Sequence, residues 1–174
     1  MLIAFSGLPG TGKTSIAREL ARRLRATYLR VDTVEQALRS CGTLDTVGAE
    51  GYEAIYRLAE DNLNLGLTVI ADSVNPLEIT REAWAQAAHE ANVRLINVEI
   101  VCSDEAEHRR RVETRSSDIP DLVLPTWDKV RSREYHLWTH PRIVIDTAGR
   151  SIDACTDELV LALAEARRQN AAGQ

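Results

Sequence analysis

The chain alternates short apolar runs with longer stretches in which apolar residues recur every three or four positions. Residues 2–7 (LIAFSG) form a continuous apolar run, the pattern of a strand buried on both faces. Four further runs have the same character: 27–32 (TYLRVD), 67–73 (LTVIADS), 94–103 (RLINVEIVCS) and 142–147 (RIVIDT). Between the first two, Ile16, Ala17, Leu20, Ala21 and Leu24 fall at helical spacing. Helices are also predicted over 33–40, capped by Thr33, and over 52–66, ended by Gly66. Another runs over 75–93, with Asn75 as cap, Pro76 at the first position and Glu78 three residues after the cap. The last three cover 104–115, 126–138 and 151–169. Residues 41–51 are broken by glycine and read as a loop, 116–125 are a proline-bounded connection, and 170–174 fray. With no repeat, linker or low-complexity stretch, 1–174 reads as one domain.

Five strands separated by helices predict an α/β fold, a parallel sheet covered on both faces. Ligands bind such sheets at the carboxyl ends of the strands. That rule brings together the segment after the first strand and the acids Asp32 and Asp72, which end the second and third.

Composition narrows the partners. Twenty-one Lys and Arg against 26 Asp and Glu give a formal charge of -5, which argues against a nucleic-acid partner. The three cysteines, Cys41, Cys102 and Cys155, are scattered without a CxxC pair and read as reduced thiols of a cytoplasmic protein. No apolar run approaches membrane-spanning length, so no membrane partner is expected. Nothing in the pattern separates a monomer from a homodimer.

The first strand runs into GLPGTGKT, which satisfies G-x-x-x-x-G-K-[ST] through Gly7, Gly12, Lys13 and Thr14. Glycines let successive N–H groups of Gly7, Leu8, Pro9, Gly10, Thr11, Gly12, Lys13, Thr14 and Ser15 turn toward phosphate oxygens, proline lacking one. The following helix adds its positive end. In this pattern Lys13 reaches the β- and γ-phosphates and the Thr14 hydroxyl ligates Mg²⁺.

Asp32 suits a base that takes a proton from an attacking hydroxyl; a helix cap or a group near Mg²⁺ is the alternative. Asp72 follows TVIA like an acid that holds Mg²⁺ through water, or it binds substrate, or it caps the next helix. Glu35, one turn beyond Asp32, either faces an acceptor or lies on a solvated face. Arg111 and Arg115 are four apart and share a helix face, ahead of a connection containing Asp118, Pro120 and Pro125. Arginines folding over a γ-phosphate stabilise charge and exclude water, so 105–126 reads as a lid, with Arg109 and Arg110 as weaker candidates. Arg81 is a candidate substrate contact. VIDTAG (144–149) looks like a GTPase switch motif but ends the last strand, and a turn near an adenine edge fits it better. His136 and His140 lack the glutamate of a zinc helix and read as a surface pair.

GLPGTGKT, the Val31-Asp32 pair before a helix, VIADSVNP, RRVETR, the 126–138 stretch and the closing IDT together resemble the small P-loop kinases. Within that group the chain looks most like chloramphenicol phosphotransferase, the zeta toxins and the kinase domain of polynucleotide kinase. The resemblance implies a three-layer fold with strand order 2-3-1-4-5, ATP with Mg²⁺, an arginine-bearing lid, Asp32 as general base, and Arg111 and Arg115 as the lid arginines. Polynucleotide kinases carry an arginine one turn after the base, where this chain has Glu35; that departure favours a neutral or cationic small molecule as hydroxyl acceptor. The rival readings are a polynucleotide or nucleotide kinase and a nucleotide-binding switch ATPase that transfers nothing.

Overall fold

The structure, a computed structural model, describes residues 1–42 and 48–171. Its centre is a five-stranded parallel sheet: β1 (Leu2–Ser6), β2 (Thr27–Arg30), β3 (Val69–Asp72), β4 (Leu95–Val101) and β5 (Ile143–Asp146). The strand order is β2-β3-β1-β4-β5, as the resemblance implied. Residues alternate across β1. Ile3 and Phe5 pack with Ile16 and Leu20 of α1 (Lys13–Leu24) and with Leu159 and Leu163 of α7 (Ile152–Ala171). Leu2 and Ala4 pack on the other face with Ile55, Ala59 and Leu63 of α3 (Glu50–Asn64) and with Trp84 of α4 (Glu78–Glu90). Burial on both faces explains why the central strands read as unbroken apolar runs.

Several predicted boundaries move, each for a local reason. β2 stops at Arg30, which pairs with Asp72, the last residue of β3. At the sheet edge β2 has no other strand to follow, so α2 (Val31–Ser40) begins at once, with Val31 buried. Asp32 therefore lies in the first turn of α2 rather than at a strand end, and Thr33 is inside the helix instead of capping it. An acid there suits the helix dipole. Asn75 does not cap α4, which starts at Glu78; Asn75 sits at φ 48°, a left-handed conformation that asparagine tolerates, with its side chain buried. Of the loop expected over 41–51, positions 43–47 lie outside the described residues, and α3 already starts at Glu50.

The helix expected over 126–138 ends early, as α6 (Trp127–Arg131). The chain beyond it has no regular secondary structure and is held by tertiary contacts that outweigh helix propensity. Tyr135 donates to Glu99 at 2.9 Å, Arg142 also bonds Glu99, and the Arg81 guanidinium lies 4.0 Å from the Trp138 ring centre. α5 (Glu105–Thr114) is capped by Asp104, whose carboxylate accepts from the Glu107 N–H at 2.9 Å. Among the described residues no helix is long and apolar enough to cross a membrane.

Candidate active site

The loop between β1 and α1 lies at the carboxyl edge of the sheet, where the neighbouring strands leave no room for side chains. Gly7 has φ 135°, and a Cβ there would stand 2.3 Å from the carbonyl oxygen of Ile100 on β4. Gly12 turns at φ 93° and opens α1, so this end of the helix presents free N–H groups. Thr147 locks the loop from behind: its hydroxyl donates to the Thr11 carbonyl at 2.8 Å. α5 clamps it from above, with a His108 ring nitrogen 2.9 Å from the Pro9 carbonyl and Val112 against Gly10.

Lys13 follows directly, and its ammonium is 3.0 Å from Asp72. The other Asp72 oxygen accepts from Tyr28 at 2.6 Å. Asp72 is 2% exposed. Burial opposes its charge, but the Lys13 ammonium, the Tyr28 hydroxyl and the nearby Thr14 hydroxyl together hold its carboxyl below the usual range. Thr14 and Asp72 thus place a hydroxyl and a carboxylate beside the lysine, oxygen donors that suit a hard cation such as Mg²⁺. With both Asp72 oxygens already engaged, Thr14 is the residue that fits direct ligation, and Asp72 fits support through water.

A cleft of ≈ 840 Å³ opens above this loop. Leu8, Pro9, Gly10, Gly12, Lys13, Thr14 and Ser15 line one half; Gly7 and Thr11 of the same loop are buried and do not line it. The facing half carries Asp32, Glu35, Arg115 and Tyr52. Asp32 has its side chain 41% exposed and lies 3.4 Å from an Arg30 terminal nitrogen. Glu35 accepts from Arg39 at 3.1 Å; burial pushes its carboxyl up despite that pairing. The Tyr52 hydroxyl is pushed up to about 12 by burial, with the charges of Glu35 and Asp32 adding to the effect.

The two arginines expected to act together as lid residues part company. Arg111 donates to the Thr147 hydroxyl at 2.8 Å, the Thr147 carbonyl at 2.9 Å and Glu107 at 2.7 Å. It separates the main cleft from a smaller cavity of ≈ 280 Å³ bounded by Gly12, Ile16, Thr147 and Ile152. Arg115 faces the main cleft half-buried, and its Nε has no partner among the described residues. Burial lowers its pKa although the Asp32 charge opposes that, and Arg30 nearby adds to the lowering. Arg81 does not reach the cleft: its guanidinium is buried and donates to the carbonyls of Asn75, Pro76, His136 and Leu137. The His136–His140 pair is surface-exposed, and no cluster of three or more metal-ligating side chains occurs among the described residues.

Among the cleft residues outside the sequence-based candidates are Tyr52 and three charged ones, Arg18, Arg30 and Asp118. Arg18 shares a helix face with Thr14, four residues earlier, and that spacing was a usable signal. Arg30 is an arginine in a strand, a second signal. Asp118, which pairs with both, carried no signal of its own, since its partners lie 100 and 88 residues away.

Against known proteins, residues 2–134 match the family model described as an AAA domain. The cytidylate kinase of Mycobacterium leprae (strain Br4923) is 29% identical over 134 residues, which are 72% of this chain and 59% of that protein. The chain thus spans about three-fifths of the length of that curated relative. Among solved structures, a gluconokinase from Sinorhizobium meliloti 1021 superposes with a TM-score of 0.72 at 12% identity, covering 99% of this chain and 96% of its own. APS kinase of Mycobacterium tuberculosis, solved in complex with AMPPNP and APS, gives 0.66 at 21% identity, covering 93% and 96%. Loop, strand order and family match agree: the chain belongs to this AAA-domain family, and its fold is the one these small P-loop kinases share.

Proposed function

We propose that the protein transfers the γ-phosphate of ATP to a hydroxyl of a small molecule. The observation that carries this reading is the meeting of a phosphate loop, a half-exposed carboxylate and an arginine with an unpartnered Nε in one cleft. Lys13 and the loop N–H groups hold the β- and γ-phosphates, and the base of ATP sits in the smaller cavity against Arg111. Asp32 accepts the proton of the acceptor hydroxyl as its oxygen attacks the γ-phosphorus and the bond to ADP breaks. Arg115 compensates the charge that develops on the transferring group. Mg²⁺, ligated by Thr14 with Asp72 behind it, would neutralise phosphate charge when bound. The segment 105–126 closes the cleft as a lid, with α5 fixed on the loop and the stretch after it reaching across to the acceptor half.

Incubation with γ-labelled ATP, Mg²⁺ and pools of hydroxyl compounds tests the proposal. ATP turnover should stay near background until a productive pool is added, and the label should then appear in an organic phosphate. Equal turnover with and without every pool, with all label in inorganic phosphate, would mean a nucleotide hydrolase instead.

A further inference from the structure

Arg18 and Arg30 converge on Asp118, one on each carboxylate oxygen. Arg30 donates to Oδ1 at 2.9 Å, and Arg18 bonds Oδ2. Arg30 is a costly place for a charge, since its side chain is only 9% exposed and its Nε is buried without a partner among the described residues. Arg18 is braced by Tyr28, 5.9 Å below it, whose hydroxyl is in turn held by Asp72. The two guanidiniums thus form a fork anchored to α1 and β2.

The carboxylate in the fork has weaker anchorage. Asp118 is 49% exposed, and none of residues 113–126 is buried. The carboxyl of Asp118 is held down to about 2, first by Arg18 and then by Arg30. Partly buried Leu122, Leu124 and Pro125 line the cleft beside these ion pairs, and the pairs themselves are readily exchanged for others in water. Arg115 faces the same cleft, whose lining holds more arginines than carboxylates in a chain whose formal charge is -5.

Resting on the kinase reading, we infer that the acceptor is anionic, and that its phosphate, sulfate or carboxylate group seats between Arg18 and Arg30 in place of Asp118. Arg30 fixes the direction of the rest of the molecule. One terminal nitrogen holds Asp118 and the other lies 3.4 Å from Asp32, so an anion in the fork is anchored next to the base. Glu35, whose position suggested a neutral or cationic acceptor, is already paired with Arg39 and packed against Gly51. Its charge is spent within the protein and does not set the acceptor's sign.

The test uses the full chain with its donor half saturated by AMPPNP and Mg²⁺, titrated separately with inorganic phosphate, sulfate and acetate. Removing an internal competitor should tighten binding, so Asp118→Asn is expected to lower the apparent Kd of the preferred ion about three- to tenfold. Arg18→Gln and Arg30→Gln should each weaken it by about tenfold or more, with thermal melts confirming that the variants fold. Tightest binding of one of the three ions identifies the group the acceptor carries. No binding of any ion, or no tightening in Asp118→Asn, overturns the inference. Matched acceptors, each hydroxyl compound with and without its anionic group, separate this claim from the one it rests on. Transfer to the neutral members alone refutes the anionic acceptor and leaves the kinase standing. Ion binding that responds as described, with all label released as inorganic phosphate whatever compound is added, leaves the anion site standing and refutes the transfer reading.

Discussion

The two halves of the cleft are built on different principles. The donor half is backbone, wedged into the sheet: Gly7 beneath Ile100, Thr11 tied to Thr147, and Gly10 under Val112. Its charged side chains are buried and mutually satisfied, as in the Lys13–Asp72–Tyr28 chain. The acceptor half is side chains on the first turn of α2 and on an unburied stretch after α5, joined by ion pairs at partly exposed positions. A site that binds the same triphosphate every time gains from preorganisation. A site that must admit and release a second molecule gains from contacts that exchange.

The contrast breaks most sharply at Lys13. Lys13→Ala should abolish ATP-dependent turnover and also cost about 3 to 5 kcal/mol of stability, because it strands the buried Asp72 carboxylate. Adding Asp72→Asn should restore much of the denaturation midpoint and none of the turnover. If the single variant unfolds at the wild-type midpoint, the pair is not holding the donor half together.

The two arginines proposed for the lid sharpen the comparison next. Arg115→Gln should lower kcat by about a hundredfold with little change in ATP affinity, the signature of a contact made in the transition state. Arg111→Gln should chiefly raise the KM for ATP, since that guanidinium is fixed on Thr147 beside the smaller cavity. Steady-state kinetics of the two variants check the split, and identical profiles would merge the two roles.

The smallest expected effect is at Glu35, where burial raises the folded-state pKa above the unfolded one. The native state then holds its proton more tightly, so this residue lowers stability as pH rises from the usual carboxylate range through the folded-state pKa. The denaturation midpoint of Glu35→Gln relative to the wild-type chain should rise across that window, and a constant difference would contradict the assignment.

All five strands and the donor loop were legible because each depends on contiguous sequence: apolar runs for buried strands, glycine spacing for the phosphate cradle. Ends set by tertiary partners were not. Val31 is apolar and extends the second run by eye, yet it begins α2 because β2 runs out of sheet. The stretch after α6 has helical spacing, but Glu99 bonding Tyr135 and Arg81 stacked on Trp138 hold it out of a helix. In the acceptor half, Asp32 and Arg115 could be found from local pattern. The Arg18–Asp118–Arg30 fork could not, because it exists only once the chain brings three distant segments together. Arg81 shows the converse, an arginine with a plausible address whose donors the fold consumes elsewhere.

The division of labour is tested most directly by Asp32→Asn, assayed for AMPPNP affinity and, with an acceptor found in the labelled-ATP pools, for single-turnover transfer. Affinity for the nucleotide should be unchanged while transfer falls by about a hundredfold or more, the range expected on losing a general base. Transfer at the wild-type rate would remove Asp32 from the chemistry and, with it, the assignment of the acceptor half.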